Sequence, residues 1–134
     1  MAGAGMSFES DWQKVSAKLD KVISQGIRAT VFEVGSAIIR QTPVDTGRAR
    51  GNWQASVGSP IGSETSNTSE GAAIAKVNSA ANASIGDIFY LTNNLPYIRR
   101  LEYGYSDQAP DGMVRRNMQQ FNRLLVKNLR AAAK

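Results

Sequence analysis

The side chains best placed to do chemistry in this sequence are cationic and aromatic. Arg48 and Arg50 stand two apart, so on a strand they share a face and can grip carboxylates of a neighbour through bidentate bonds. Tyr97, Arg99, Arg100, Tyr103 and Tyr105 fall within nine residues. These are the types enriched at interface centres. Arg116, Arg123, Lys127 and Arg130, with Lys134, gather on one side of a helical wheel at the C-terminus. Such a stripe can track phosphates, meet an acidic partner or lie on an anionic membrane. Each feature also has a plainer reading. The arginines after Gly47 can be solvated in a connection. Tyr97, Leu101 and Tyr105, at steps of four, can pack inward and leave Arg99 and Tyr103 outward. The C-terminal stripe can be a solvated helix face.

The composition excludes much else. There is no Cys and no His, which removes thiolate nucleophiles, disulfides, Cys-ligated zinc, the commonest general base and the commonest metal ligand. The 11 acidic residues are scattered, with no close pair beside a pocket motif of the kind a carboxylate hydrolase uses. No phosphate loop, dinucleotide fingerprint or nucleophile elbow occurs. The expectation is therefore no catalytic residue, no metal and no cofactor. Net charge is +5 with a pI near 9.8, which permits an anionic partner. After Asp111 there is no acid, and six Lys or Arg follow.

These side chains need elements to position them. The 134 residues, 42% apolar and 20% charged, suit one soluble domain spanning 1–134. Residues 1–6 read as a flexible N-terminus without the marks of a secretory signal. No apolar run approaches the roughly 20 residues that span a bilayer, so no membrane partner is expected. Phe8, Trp12, Val15, Leu19 and Val22 recur at steps of four and three behind Ser7 as N-cap, which predicts an amphipathic helix. A second stripe, Ile23, Ile27, Val31, Val34 and Ile38, begins beside it, with Gly26 at the slip. Either one helix runs on through a stutter to about residue 41, or two helices fold back on one core.

Pro43 ends that helix, and Thr42 to Gly47 form a turn in which Gly47 can supply positive φ. Arg48 to Asn52 then lead into a half-buried strand near 52–58 that holds Trp53, Ala55 and Val57. Trp12 and Trp53 read as core or interface residues rather than base-stacking platforms. The Gly, Ser, Thr and Asn of 58–69 predict a mobile loop, either an assembly arm or a tolerated insertion. The alanine-rich stretch from 70 to 83 predicts a thin surface helix. Residues 87–92 predict a strand buried on both faces. Leu95 to Tyr105 predict one or two helical turns starting at Pro96. Asp111 is the expected N-cap of a last helix at about 112–132, with Val114, Met118, Phe121 and Leu125 on its apolar side. The fold class expected is α+β, with a long N-terminal helix and a C-terminal helix packed on a small, mainly antiparallel sheet.

Several segments taken together resemble one family. Thr42-Pro43-Val44-Asp45-Thr46-Gly47-Arg48-Ala49-Arg50, Asn52-Trp53, Asn93-Asn94-Leu95-Pro96-Tyr97, Leu101-Glu102-Tyr103-Gly104 and Ser106-Asp107-Gln108-Ala109-Pro110-Asp111-Gly112-Met113-Val114 are similar, in order and spacing, to the small neck, tail-component or tail-completion proteins (minor tail protein Z type) of long-tailed double-stranded DNA bacteriophages. The likeness extends over roughly 7–130. Met113 to Gln120 departs from it, reading as helix where a strand would suit. The resemblance implies a structural virion protein at the neck or tail top, made in the host cytoplasm. It implies a cyclic ring of copies, six-fold like the tail, between connector and tail proteins, with DNA passing through the lumen, and no catalysis.

On that reading Arg48, Arg50, Tyr97, Arg99 and Tyr103 are candidate subunit or partner contacts. Arg116, Arg123, Lys127 and Arg130 are a candidate DNA-channel or acidic-partner stripe. Two other readings remain open: the tail terminator ring of the same particle, and a standalone basic nucleic-acid-binding protein.

Overall fold

The computed structural model describes residues 2–44, 46–104 and 111–134. Its fold is α+β, with a long N-terminal helix, a C-terminal helix and a two-stranded antiparallel sheet. Helix α1, Ala2–Gln41, runs without interruption for 40 residues, about 60 Å at 1.5 Å per residue. The slip at Gly26 is therefore a continuous stutter, and the two-helix alternative is overturned. Residues 2–6 are already helical, so Ser7 lies inside the helix rather than capping it.

Gly26 has a packing reason. A Cβ there would come within 2.6 Å of Leu129 Cδ2, so its absence lets the C-terminal helix approach the α1 backbone closely. Gly35 does the same for Val77, whose Cγ1 would lie 2.9 Å from an added Cβ. Over Phe8–Gln41 the helix is also long and apolar enough to cross a bilayer by length and composition, which the expectation of no such run did not allow. In this fold the second half of that stretch supplies Val34, Ile38 and Ile39 to the core.

A one-turn helix, α2 (Arg48–Gly51), follows the turn, then strand β1 (Trp53–Val57). Helix α3 (Glu70–Ala80) is capped by Ser69, whose side chain accepts from Ala72 N at 3.1 Å. It is not merely a surface helix. Ala73 and Val77 are fully buried against α1 and β1, and its small side chains are what allow that closeness. Strand β2 (Phe89–Asn93) pairs with β1 in the register Trp53↔Asn93 to Val57↔Phe89. It is only half-buried throughout, because a two-stranded sheet has no neighbour to cover its second face. The expectation of burial on both faces is corrected accordingly.

Three short helices complete the chain: α4 (Ile98–Glu102), α5 (Met113–Met118) and α6 (Phe121–Ala132). The predicted single last helix is thus two. Asn117 Nδ2 donates to Met113 O at 2.6 Å and to Gln41 Oε1 at 3.0 Å. A side chain that bonds its own helix carbonyl in this way competes with the main chain and bends helices. The chain turns at Gln119–Gln120 two residues on.

Trp53 fastens the turn to the core. Its indole Nε1 donates to Thr42 Oγ1 at 2.8 Å, Thr42 Oγ1 donates to Ile38 O at 2.6 Å, and Arg50 Nε donates to Thr42 O at 2.7 Å. The 58–69 segment, whose composition predicts a mobile loop, is hydrogen-bonded to its neighbours. Asn52 Oδ1 accepts from Thr65 N at 2.9 Å, Gln54 Nε2 donates to Ser63 O at 2.5 Å, and Asn94 Nδ2 donates to Ile61 O at 2.8 Å. Asn and Gln side chains on the neighbouring elements do for this loop what a third strand would otherwise do.

Gly47 and Gly58 both sit at positive φ, 83° and 91°. Any side chain is strained at either site. Only Gly47 is also crowded: an added Cβ would stand 2.7 Å from Thr68 O, while Gly58 has nothing within 4 Å. Gly47→Val should therefore cost about 1–3 kcal/mol more than Gly58→Val, or several degrees of Tm in a domain of this size. Equal melting temperatures for the two purified variants would refute this.

Candidate assembly interface

The predicted contact residues fall into three groups. The first is the arginine pair. Arg48 and Arg50 lie on α2, not on a strand, so they do not share a strand face. Each holds a carboxylate of its own chain: Arg48 Nη2 meets Glu64 Oε2 at 3.0 Å, and Arg50 Nη1 meets Glu70 Oε2 at 3.4 Å. Glu70 also lies 3.9 Å from Arg40 Nε. These bonds link the 58–69 loop and the start of α3 to the turn, each through one guanidinium nitrogen.

The second group is the tyrosine-arginine segment. Tyr97 is half-buried, whereas Arg99 and Tyr103 are exposed. Tyr105 lies outside the described residues, as do Asp45 and 106–110. Tyr103 is stacked under a guanidinium, with Arg115 Cζ 4.7 Å from its ring centroid, a favourable cation–π distance.

The residue that organises this corner is Glu102, which sequence reasoning missed. Its Oε1 accepts from Val114 N at 2.8 Å, and its Oε2 accepts from Arg115 N and Arg115 Nε, both at 2.9 Å. Glu102 thus caps α5 from a distance, where Asp111 was the expected cap. Gly112 occupies the N-cap position at φ 80°, and a Cβ on it would collide with the Glu102 carbonyl and carboxylate oxygens. The signal in the sequence is the pairing of Leu-Glu-Tyr-Gly with Asp-Gly-Met, which are two sides of one clasp.

The third group is the C-terminal stripe. Arg116 belongs to α5 and is separated by the Gln119–Gln120 turn from Arg123, Lys127 and Arg130 on α6. All four are exposed. Arg123, Lys127, Arg130 and Lys134 line an open depression of about 690 Å³ with Asn122 and Val126. Lys127 Nζ meets Glu33 Oε2 at 3.2 Å, and Arg123 donates to Gln120 Oε1. Asn128 bonds both Thr30 and Glu33 across the α1–α6 contact. Among the described residues no group of three or more acidic side chains is placed to hold a metal ion.

Two apolar features outweigh these polar ones. The first half of α1 presents Phe8, Trp12, Val15 and Leu19 at 72%, 61%, 50% and 52% exposure. So the two tryptophans divide: Trp53 is core, and Trp12 is surface. The second feature is a groove of about 520 Å³ floored by Ile27, Val31, Val34 and Ile38 of α1. Trp53, Phe89 and Leu91 of the sheet form one wall, and Val114, Met118 and Phe121 of α5 and α6 the other. The largest exposed apolar patch on a protein is often its interaction site.

The chain matches no family model, no curated protein and no solved structure.

Glu102 is well buried, with its side chain 14% exposed, and Glu64 is open at 41%. Losing the charge on a buried acceptor of three N–H groups costs about 1.5–3 kcal/mol, against about 0–1 kcal/mol for a surface pair. Glu102→Gln should therefore lower the melting temperature and speed amide exchange across α5, and Glu64→Gln should do neither measurably. Equal exchange at Val114 and Arg115 in the two variants would contradict the clasp.

Proposed function

We propose that this chain is a structural assembly subunit, a ring component that completes the tail or joins head and tail at the neck of a long-tailed bacteriophage. The observation that carries the reading is the uncovered face of α1. A 40-residue helix with Phe8, Trp12, Val15 and Leu19 exposed along one line is built for contact with another macromolecule. The resemblance in the turn, clasp and Pro-Tyr segments gives that contact its setting in the virion. The residues that carry the resemblance work here as fastenings within the subunit: Trp53 on Thr42, Arg50 on Glu70 and Glu102 on α5. They hold a rigid body from which α1 projects.

In this setting the ring would lie between connector and tail proteins, with self-contacts around the ring. The basic side of α6, with Arg123, Arg130 and Lys134, would face DNA or an acidic neighbour, where phosphate contacts are electrostatic and sequence-independent.

The test is genetic and morphological. Loss of the gene from the phage genome that carries it should leave separate heads and tails in the electron microscope, and wild-type protein supplied in trans should restore particles. Replacing Trp12 and Leu19 together by Glu should abolish that rescue, with at least a hundred-fold fewer infectious particles. Normal particle yield without the gene would refute the virion role. Salt-dependent binding of free duplex by the isolated subunit, with intact particles in its absence, would favour the nucleic-acid-binding alternative instead.

A further inference from the structure

We propose that the exposed side of α6 docks the sugar-phosphate backbone of duplex DNA, held by Arg123, Lys127, Arg130 and Lys134 without regard to base sequence. This commits to one partner for a face that the virion reading leaves to DNA or an acidic neighbour. It rests on that reading only for where the duplex comes from.

The cations form one line on one helix. They succeed one another at steps of four, three and four, which keeps them on a single helical face. From Arg123 to Lys134, just past the end of α6, the line runs about 16 Å at 1.5 Å per residue. The opposite side of α6 is fixed. Leu129 lies over Gly26, Asn128 bonds Thr30 and Glu33, and Phe121 and Leu124 pack on the core. The helix cannot roll, so the four cations stay on the solvent side, where all are exposed.

Their charge is largely uncompensated. No acid occurs in residues 112–134. The open depression of about 690 Å³ is lined by the four cations with Asn122, Val126 and Ala131, and by no carboxylate. Among the described residues only Lys127 of the four meets a carboxylate, Glu33 at 3.2 Å. Arg123 donates to the neutral amide oxygen of Gln120. Arg48, Arg50 and Arg115 differ, since each holds a carboxylate of its own chain. Those three serve the fold, and the α6 row is left for an anion from outside.

Helix stability does not account for the row. Cations favour the C-terminal end of a helix and acids its N-terminal end. Arg130 suits that rule. Arg123 is the third residue of α6, whose first turn carries no acid, so its charge opposes the helix dipole.

The lining selects the kind of anion. Protein partners are gripped around apolar or aromatic anchors, and the one large exposed apolar side chain in the depression is Val126. Single strands are held by aromatic platforms on which bases stack. No aromatic residue lines the depression, and Phe121 lines the apolar groove instead. A row of Arg and Lys with an amide donor and nothing to read a base is the chemistry of backbone phosphate contacts.

The test is fluorescence anisotropy of the whole protein with two short labelled duplexes of unrelated sequence. Three cations without a carboxylate partner predict a slope of log affinity against log salt of about −2.7, or a roughly forty-fold loss between about 50 and 200 mM salt. Both duplexes should bind alike. Arg123→Gln with Arg130→Gln should melt like wild type, weaken binding at least ten-fold at low salt and make the slope shallower by about two. Lys14→Gln with Lys18→Gln removes the same net charge from the first half of α1 and should leave the slope unchanged.

Absence of duplex binding at low salt would overturn the proposal, as would an equal loss in the Lys14 and Lys18 variant or a preference for one duplex. Unlabelled duplex should displace the label. Polyglutamate or phosphatidylglycerol vesicles that displace it equally well at the same charge would assign the face to an acidic protein or a lipid and overturn the proposal. Should the glutamine variant melt early, backbone amide shifts of wild type titrated with duplex supply a second measurement. Residues 122–134 should move and 8–23 should not, and shifts spread evenly over the chain would overturn the docking. The virion role fails separately. Duplex binding as described while gene loss leaves particles intact refutes that role and keeps the surface. A chain that binds no duplex yet is required for joining heads to tails does the reverse.

Discussion

An uninterrupted α-helix cannot double back, and almost everything in this fold follows from that constraint on α1. Its second half is the spine of the domain. Helix α3 meets it at Gly35, α6 meets it at Gly26 and Thr30, and α5 is tied to its end through Asn117 and Gln41. The sheet then rests on the same core through Trp53. The described elements pack mainly around the second half, and Phe8, Trp12, Val15 and Leu19 stay exposed. The exposed stripe is the consequence of a short chain placing about 60 Å of helix, at 1.5 Å per residue, in front of a body that spans only part of it.

The apolar packing of the body is supplemented by side-chain bonds to the backbone. The buried cluster is small: Ile39, Val77, Met113 and a few neighbours. Around it most buried polar side chains are paired, with Ser36 Oγ the exception among the described residues. Asn52, Gln54, Asn67 and Asn94 fasten the 58–69 segment, Thr42 holds Trp53, and Glu102 holds α5. A scaffold of this kind resists distortion at its connections.

Much of this was legible in the sequence, and the parts that were not share a cause. The stop at Pro43 and strand β1 follow from local chemistry that acts over a few residues. The exposure of Arg99 and Tyr103 follows from helical spacing. The sequence leaves continuity through Gly26 open, because the same glycine serves a kink or a close helix contact. Only Leu129, about a hundred residues away, chooses between them. The Glu102 clasp, the pinned loop and the break before Phe121 likewise depend on partners distant in sequence. Arg48 and Arg50 were recognised as carboxylate-gripping residues, but their carboxylates, Glu64 and Glu70, belong to the same chain. The stripe of Phe8, Trp12, Val15 and Leu19 was visible as a pattern. That none of the described residues covers it became visible only with the fold.

The central claim is that the first half of α1 is bare in the subunit and covered in the assembly. Amide hydrogen exchange measured across a dilution series reads this directly, residue by residue. The account predicts that amides of residues 8–23 exchange fast at high dilution and become protected as concentration rises, while those of 27–39 stay protected throughout. Exchange in 8–23 that is the same at every concentration would contradict it.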